Sequence, residues 1–413
     1  MERLRLDLAG RARGVADLRR RVLWTRHCEG RPLWVEDPVF DAARYVVSTS
    51  LPPGEDLASW AANRCVRPLD LDRPPWRADI VDGIPGGRFA VLIVVHHILA
   101  DGLAGMRIAG SLLDSSPDAM PGRGSSPAVL PLPSHRELVM DRLAGARASR
   151  RRAAPIGRPS REGGRHPMAG FRDAMEGFRV PLPATSLPRR VGPERRMSVV
   201  TEQLPEVRRA GHLLGVTVND LVLAVVTDGL RDLLLGRGEM FDGLFLRTTV
   251  PVATGDAGQA MGVMVVDLPV AEPDPLRRLA WINHATTTRK AQLRATGGDV
   301  TDILHLPLPL VRAFVRWGRR IGSSRINLSV SNVPGPAAPL WFAGARLLEA
   351  VPVAPLVPLV PISVAALSYA GWLAVAVNAD AAIADLDLAA AGMTRSFSRY
   401  QELAALGEHL PQP

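Results

Sequence analysis

The chain has 413 residues, 47% hydrophobic and 22% charged, enough to bury a large core in two domains or subdomains and unlike a disordered polymer. Its formal net charge is +9 and its pI about 10.8, carried almost wholly by arginine since Lys290 is the only lysine; this favours anionic partners, and with no nucleic-acid module legible a membrane surface or a phosphorylated small molecule fits better. Two cysteines, Cys28 and Cys65, give no disulfide framework and no metal spacing, which suits a reducing cytosol; the N-terminal residues carry no apolar signal core and prolines at 352, 355, 358 and 361 interrupt the most apolar stretch, so a soluble or peripheral protein is expected.

In chain order, residues 3–24 carry leucine and arginine at mixed helical spacing and read as a helix. Residues 32–36 read as a short strand, Leu51-Pro-Pro-Gly54 as a turn and residues 57–66 as a helix. Trp34 and Trp76 are expected to anchor the core. Gly86-Gly87 marks a hairpin-type turn. The apolar, β-branched run from Phe89 to Val95 follows, bounded at both ends, and reads as a buried strand. It ends in His96 and His97. Side chains alternate along a strand, so only one of the pair faces a given cavity if the strand continues through both. Asp101 and Gly102 come next, then a helical pattern over 103–113. Imidazole titrates near neutrality and can take up and return a proton. A glycine at such a turn permits left-handed backbone or close approach of another group. The plainer readings of paired histidines are core packing and a metal site, and no third well-spaced ligand accompanies them.

From 114 to about 196 the composition shifts to Pro, Gly, Ser and Arg, with a helical island at 136–152. The run Arg150-Arg151-Arg152 reads as a solvated face, or else as a membrane-docking patch. A strand over 197–204 and a helix over 205–214 open the second half. Thr217 and Asp220 then sit at capping-box spacing ahead of a helix that runs to about 235. Asn219 and Asp220 read either as caps or as groups placed where a helix N-terminus favours negative charge. Residues 308–321 are amphipathic, suited to covering a core or lying on a bilayer. A strand from Asn327 ends in the turn Pro334-Gly335-Pro336. Ser368 to Gly371, Asn378 to Asp380 and Asp385 read as turn and strand geometry.

The string H-H-x-x-x-D-G after a strand resembles the active-site motif of the CoA-dependent acyltransferases with the chloramphenicol-acetyltransferase-like fold. The doubled histidine resembles in particular the bacterial wax ester synthase/diacylglycerol acyltransferase family. Further stretches resemble that family in the same order: Trp34 to Asp37, Leu51 to Gly54, Pro68 to Trp76 with Pro75 in place of Leu, Val218 to Ala224, Leu246 to Val252, and Ser331 to Pro336. Departures are that the given sequence opens without the family's Leu-Ser-x-x-Asp segment, so that either the true start lies upstream or the element is lacking, and that after Val-Pro-Val Gly255 and Gly262-Val263 stand where the family carries an arginine and Gly-Asn.

The resemblance implies an α/β (α+β) fold of two chloramphenicol-acetyltransferase-like subdomains with mixed sheets and a channel at their interface. Residues 1–114 would form the first and 197–413 the second, joined by a crossover over 115–196. It implies transfer of a long-chain acyl group from acyl-CoA, as co-substrate and with no cofactor or metal, to diacylglycerol or a long-chain alcohol. His97 would be the general base, with His96, Asp101 and Gly102 completing the motif and Asn219 as candidate oxyanion donor. Asp220, Ser331 and Asn332 are candidate substrate contacts. Two other readings stay open: acylation of a specialised-metabolite alcohol, and a catalytically weak lipid-binding protein. The expected location is the cytoplasm, with peripheral contact at the inner membrane or a lipid-droplet surface and no nucleic-acid partner.

Overall fold

The computed structural model describes residues 1–26, 31–100, 102–119, 131–152, 181–188, 190–253, 261–296, 316 and 325–407. The backbone divides into two compact units that are interleaved in sequence. The first takes residues 1–55, 67–164 and 339–347; the second takes 56–66, 165–338 and 348–413.

In the first unit, helix α1 (Glu2–Gly14) and a short 3₁₀ turn lead into β1 (Arg20–Leu23), which pairs antiparallel with β2 (Leu33–Glu36). The helix expected over 3–24 therefore stops early. Val15 is extended, and residues 20–23 gain a strand partner that local helical spacing does not reveal. β3 (Val46–Ser50), β4 (Trp76–Ile84) and β5 (Arg88–Val95) form a mixed three-stranded sheet, β3 parallel to β4 and β4 antiparallel to β5. Gly86 and Gly87 both adopt positive φ in the β4–β5 turn, a conformation that a side chain would strain. β5 is half-buried over most of its length rather than buried, because among the described residues it has one strand neighbour. Helices α3 (Gly102–Ser111) and α4 (His135–Arg152) follow.

The core of this unit gathers Leu8, Leu18, Ile80, Leu112 and Trp76. Trp76 is 1% exposed, stacks on Tyr45 and donates from Nε1 to the Leu18 carbonyl at 2.7 Å, so the expected anchor is present. Trp34 is not an anchor: it is 40% exposed, because β2 ends in a two-stranded ribbon outside the core. The core is completed from far along the chain by Phe342, on the ribbon of β10 (Trp341–Phe342) and β11 (Ala345–Arg346). The Arg11 guanidinium lies over the Phe342 ring at 5.2 Å, and Asp114 and Trp341 exchange backbone hydrogen bonds of 2.7 and 2.9 Å.

The second unit is built on a six-stranded mixed sheet. Its strands are β6 (Arg195–Gln203), β7 (Leu246–Ala253), β8 (Met261–Leu268), β9 (Leu328–Val333), β12 (Ile362–Tyr369) and β13 (Trp372–Asp380), in the order β6-β13-β12-β9-β7-β8. The two central pairings, β12–β9 and β9–β7, are parallel. One face is apolar and lies under α5 (Leu204–Leu213), α6 (Val218–Gly236), α7 (Pro275–Thr296) and α8 (Leu386–Ala405). Helix α2 (Leu57–Cys65), encoded early, packs on the other face with Ala62 against Met197 and Ala376.

Helices α6 and α8 touch at backbone distance. A Cβ on Gly229 would stand 2.5 Å from the Ala389 carbonyl oxygen and from Met393 Cγ, and one on Gly392 would stand 3.0 Å from Gly229 Cα. A buried polar group ties three helices beside this crossing. Ser396 on α8 donates to Asp228 on α6 at 2.6 Å, and Arg278 on α7 brings Nε to 2.6 Å from the other Asp228 oxygen. Burial pushes the Asp228 carboxyl above its usual range, with the Arg278 charge opposing that shift. The amphipathic stretch 308–321 lies outside the described residues apart from Arg316. No single described helix is long and apolar enough to cross a membrane.

Candidate active site

Strand β5 delivers the histidine pair. Its last paired residue, Val95, sits opposite Trp76, and His96 donates its backbone N–H to the Pro75 carbonyl at 2.9 Å. Pro75 has no N–H to return, so the ladder ends there. The chain turns at once: the Leu99 N–H reaches the His96 carbonyl at 2.8 Å. The two histidines thus do not alternate across a continuing strand.

The turn separates their chemistry. His96 is half-buried, and its Nδ1 accepts the Ile98 backbone N–H at 3.2 Å. Nδ1 is therefore the unprotonated nitrogen and the ring proton is assigned to Nε2. His97 lies exposed in the turn, and among the described residues neither of its ring nitrogens has a hydrogen-bond partner. The His96 imidazole thus shapes the turn, while that of His97 is unbonded among the described residues. Gly102 is exposed at the first position of α3, and Asp101 falls outside the described residues.

In the second unit the capping box predicted at Thr217 and Asp220 is formed in both directions. Asp220 N–H bonds Thr217 Oγ1 at 3.2 Å, and Thr217 N–H bonds Asp220 Oδ2 at 3.0 Å. The Asp220 side chain also accepts from Thr217 Oγ1, from Asn283 and from Thr286, the last two on α7. These bonds occupy a carboxylate that is 1% exposed, and the geometry gives it the work of a cap and a helix tie. Asn219, one residue earlier, differs. Its Nδ2 is buried and has no hydrogen-bond partner among the described residues, at the end of a 19-residue helix where partial positive charge collects.

Ser331 and Asn332 lie on β9, both half-buried and opposite Ala365 and Ala366 of β12. Alternation puts them on opposite faces, Asn332 sharing parity with the buried Leu328 and Val330. The following Pro-Gly-Pro turn is seated on the β12–β13 hairpin. Gly335 N–H bonds Ser368 Oγ at 3.2 Å, and a Cβ on Gly335 would stand 2.1 Å from the Ser368 carbonyl oxygen. Only glycine fits there.

A polar row was not anticipated from the sequence. Thr249, Ser329, Ser363 and Asn378 are successive cross-strand partners on β7, β9, β12 and β13, and so share the face of the sheet away from its apolar core. The Ser329 and Ser363 hydroxyls are 2.7 Å apart, and Asn378 donates to the Ala354 carbonyl at 2.8 Å. The available signal was an asparagine in the otherwise apolar run Ala374 to Ala379, but alignment with the serines needs the register. Arg247 of β7 is likewise buried, with a two-pronged ion pair to Asp267 at 2.6 and 2.9 Å. Among the described residues no group of three or more His, Cys, Asp or Glu side chains is arranged to hold a metal ion.

Similarity to known proteins runs along most of the chain. Residues 1–222 match the family model of the wax ester synthase/diacylglycerol acyltransferase catalytic domain, and residues 257–401 match that of the C-terminal domain of the same proteins. A putative diacylglycerol O-acyltransferase of Mycobacterium bovis and a probable diacylglycerol O-acyltransferase, tgs1, of Mycobacterium tuberculosis are each 32% identical over 384 residues, covering 90% of this chain and 81% of the relative. Among solved structures, the wax ester synthase/diacylglycerol acyltransferase of Marinobacter aquaeolei superimposes with a TM-score of 0.68 at 22% identity, over 98% of this chain and 90% of that one. The first condensation domain of the calcium-dependent antibiotic synthetase gives 0.58 at 18% identity, over 97% and 88%. The fold is thus the mixed α/β, chloramphenicol-acetyltransferase-like one expected from the sequence.

Proposed function

This chain belongs to the wax ester synthase/diacylglycerol acyltransferase family, and on that premise we propose how its own residues move an acyl group. It is an acyl-CoA-dependent O-acyltransferase of triacylglycerol or wax ester synthesis, with diacylglycerol or a long-chain alcohol as acceptor. Acyl-CoA is a co-substrate and no prosthetic group is invoked.

The base is His97. The observation that carries this choice is the split between the two imidazoles: Nδ1 of His96 is held by Ile98 N–H, while His97 is exposed and unbonded among the described residues. His97 takes the proton of the acceptor hydroxyl as its oxygen attacks the thioester carbonyl. A tetrahedral oxyanion forms, the C–S bond breaks, and the imidazolium returns the proton to the departing CoA thiolate. The products are an ester and CoA, with no acyl-enzyme. Acid–base assistance of this kind contributes about 10²- to 10⁴-fold. Asn219 supplies an amide donor to the oxyanion; its buried, unpartnered Nδ2 is what such a donor requires before substrate arrives. Asp220 acts as a positioning residue by fixing the turn that carries Asn219. Gly102 leaves room for the acyl or pantetheine chain, and Ser331 contacts substrate, whereas Asn332 stands on the opposite, core-side face of β9. The enzyme works in contact with the membrane or lipid surface that holds its acceptor.

The test is turnover of purified protein with palmitoyl-CoA and either diacylglycerol or hexadecanol, read as thiol release and as lipid product. His97→Ala should fold normally and lose about 10²-fold or more in kcat. If it retains most of the parental rate, the base lies elsewhere.

A further inference from the structure

The β1–β2 ribbon presents an apolar tip that no described part of the chain covers. Val22 pairs with Trp34 and Leu23 with Leu33, so the open end carries Leu23, Leu33 and Trp34, with Trp24 one residue beyond the strand. Trp24 is 56% exposed, Trp34 40% and Leu33 39%. Residues 20–34 also contain Arg20, Arg21, Arg26 and Arg31 against Glu29, with Arg20 already paired to Asp17 at 3.0 Å. Exposed tryptophan and leucine flanked by arginine is the composition that settles at a bilayer interface, with rings at headgroup depth and guanidinium groups on lipid phosphates.

The ribbon is also wired to the histidine turn. Val22 donates its N–H to the Leu71 carbonyl at 3.1 Å. The segment from Leu71 then runs to Pro75, whose carbonyl holds the His96 N–H at 2.9 Å. Beside it, the Trp76 indole is bonded to the Leu18 carbonyl just before β1. Whatever seats the ribbon therefore fixes the position of the histidine turn. Ile98, next to His97, is exposed as well.

We propose that the β1–β2 ribbon is a docking element for an anionic phospholipid surface, inserting Trp24, Leu33 and Trp34 and holding the histidine turn where a lipid acceptor leaves the bilayer. The second half of that statement rests on the acyltransfer reading above; the first does not. A second copy of the chain is a poorer occupant. Self-association through this tip would bring arginine against arginine, and a few side chains fall far short of the roughly 1,200 Å² that stable interfaces bury.

The test is cosedimentation of the full chain with phosphatidylglycerol-rich vesicles, with phosphatidylcholine vesicles as comparison. The parent should bind the anionic vesicles, more weakly as salt rises. The W24A/W34A variant should lose about tenfold or more in partition, and W24F/W34F should retain most of it. All three should melt at the same temperature, since the rings are exposed. A parent that stays in the supernatant, a W24A/W34A variant that binds like the parent, or a parental dimer abolished by W24A/W34A would each overturn the proposal. These readouts need no turnover, so they fail independently of the acyltransfer reading. The coupling is tested by rates: W24A/W34A should slow transfer to vesicle-borne diacylglycerol while leaving transfer to a water-soluble short-chain alcohol unchanged. An equal loss on both acceptors would overturn the coupling.

Discussion

At the scale of single residues, two neighbours of like chemistry are separated by one hydrogen bond each. His96 spends its Nδ1 on the turn; His97 does not. Asp220 spends its carboxylate on a cap and on α7, while Asn219 leaves a donor buried without a partner among the described residues. An unpartnered buried amide costs stability in the resting protein and is useful only when a ligand completes it. Asn219→Ala should therefore lower kcat by about 10²- to 10³-fold while leaving melting temperature unchanged or slightly raised. Steady-state kinetics beside a thermal melt check both halves, and a loss of stability equal to the loss of activity would reassign Asn219 to the fold. The motif made His97 and Asn219 candidates in the sequence. It could not show which nitrogen is occupied, because that depends on a turn forced by the missing N–H of Pro75, far away in sequence.

At the scale of elements, most of the second unit was legible. Residue patterning located β6, β9 and both helices around Gly215, the family resemblance located β7, and the Thr217–Asp220 spacing placed the start of α6 at Val218. Strand β8 and helix α7 were not, and neither were three other features. β1 was hidden in a helical pattern; the exposure of Trp34 followed from a ribbon no local signal describes; and the polar row of β7, β9, β12 and β13 exists only once strands are in register. The contact of α6 with α8 is also a property of two elements. Gly229→Ala should destabilise by about 1–3 kcal/mol through overpacking against the Ala389 carbonyl, measured by urea unfolding. Asp385 offers a pH-dependent test between the same helices. It stands at the N-cap of α8 without capping it, and accepts instead from Arg237 at the end of α6, with one bond of 2.7 Å. Those hydrogen bonds, outweighing burial, hold its carboxyl below the usual aspartate range. A group depressed on folding adds stability above its unfolded pKa of about 3.9, and that stability is lost as pH falls through the lower folded value. Melting temperatures of the parent and Asp385→Asn should therefore differ at neutral pH and converge in acid.

At the scale of the molecule, the boundaries read near 114 and 196 follow the order of the chain, whereas each compact unit closes with a segment from elsewhere: α2 in the second, the β10–β11 ribbon in the first. Nothing in the composition of the two short stretches announces which core they complete. Residues 1–164 produced alone lack Phe342 and the Asp114–Trp341 bonds. They should show no cooperative melt and should bind a hydrophobic dye, whereas addition of a peptide spanning 339–347 should reduce that binding.

The late position of Phe342 has a further consequence during synthesis. The ribosome must read past Leu347 before the N-terminal core can be sealed, so the opening portion of the protein waits, with apolar surface bare, while most of the message is translated. Nascent chains stalled before Pro339 should be protease-sensitive across residues 1–114 and captured by holding chaperones, and those stalled well beyond Leu347 should be released from both.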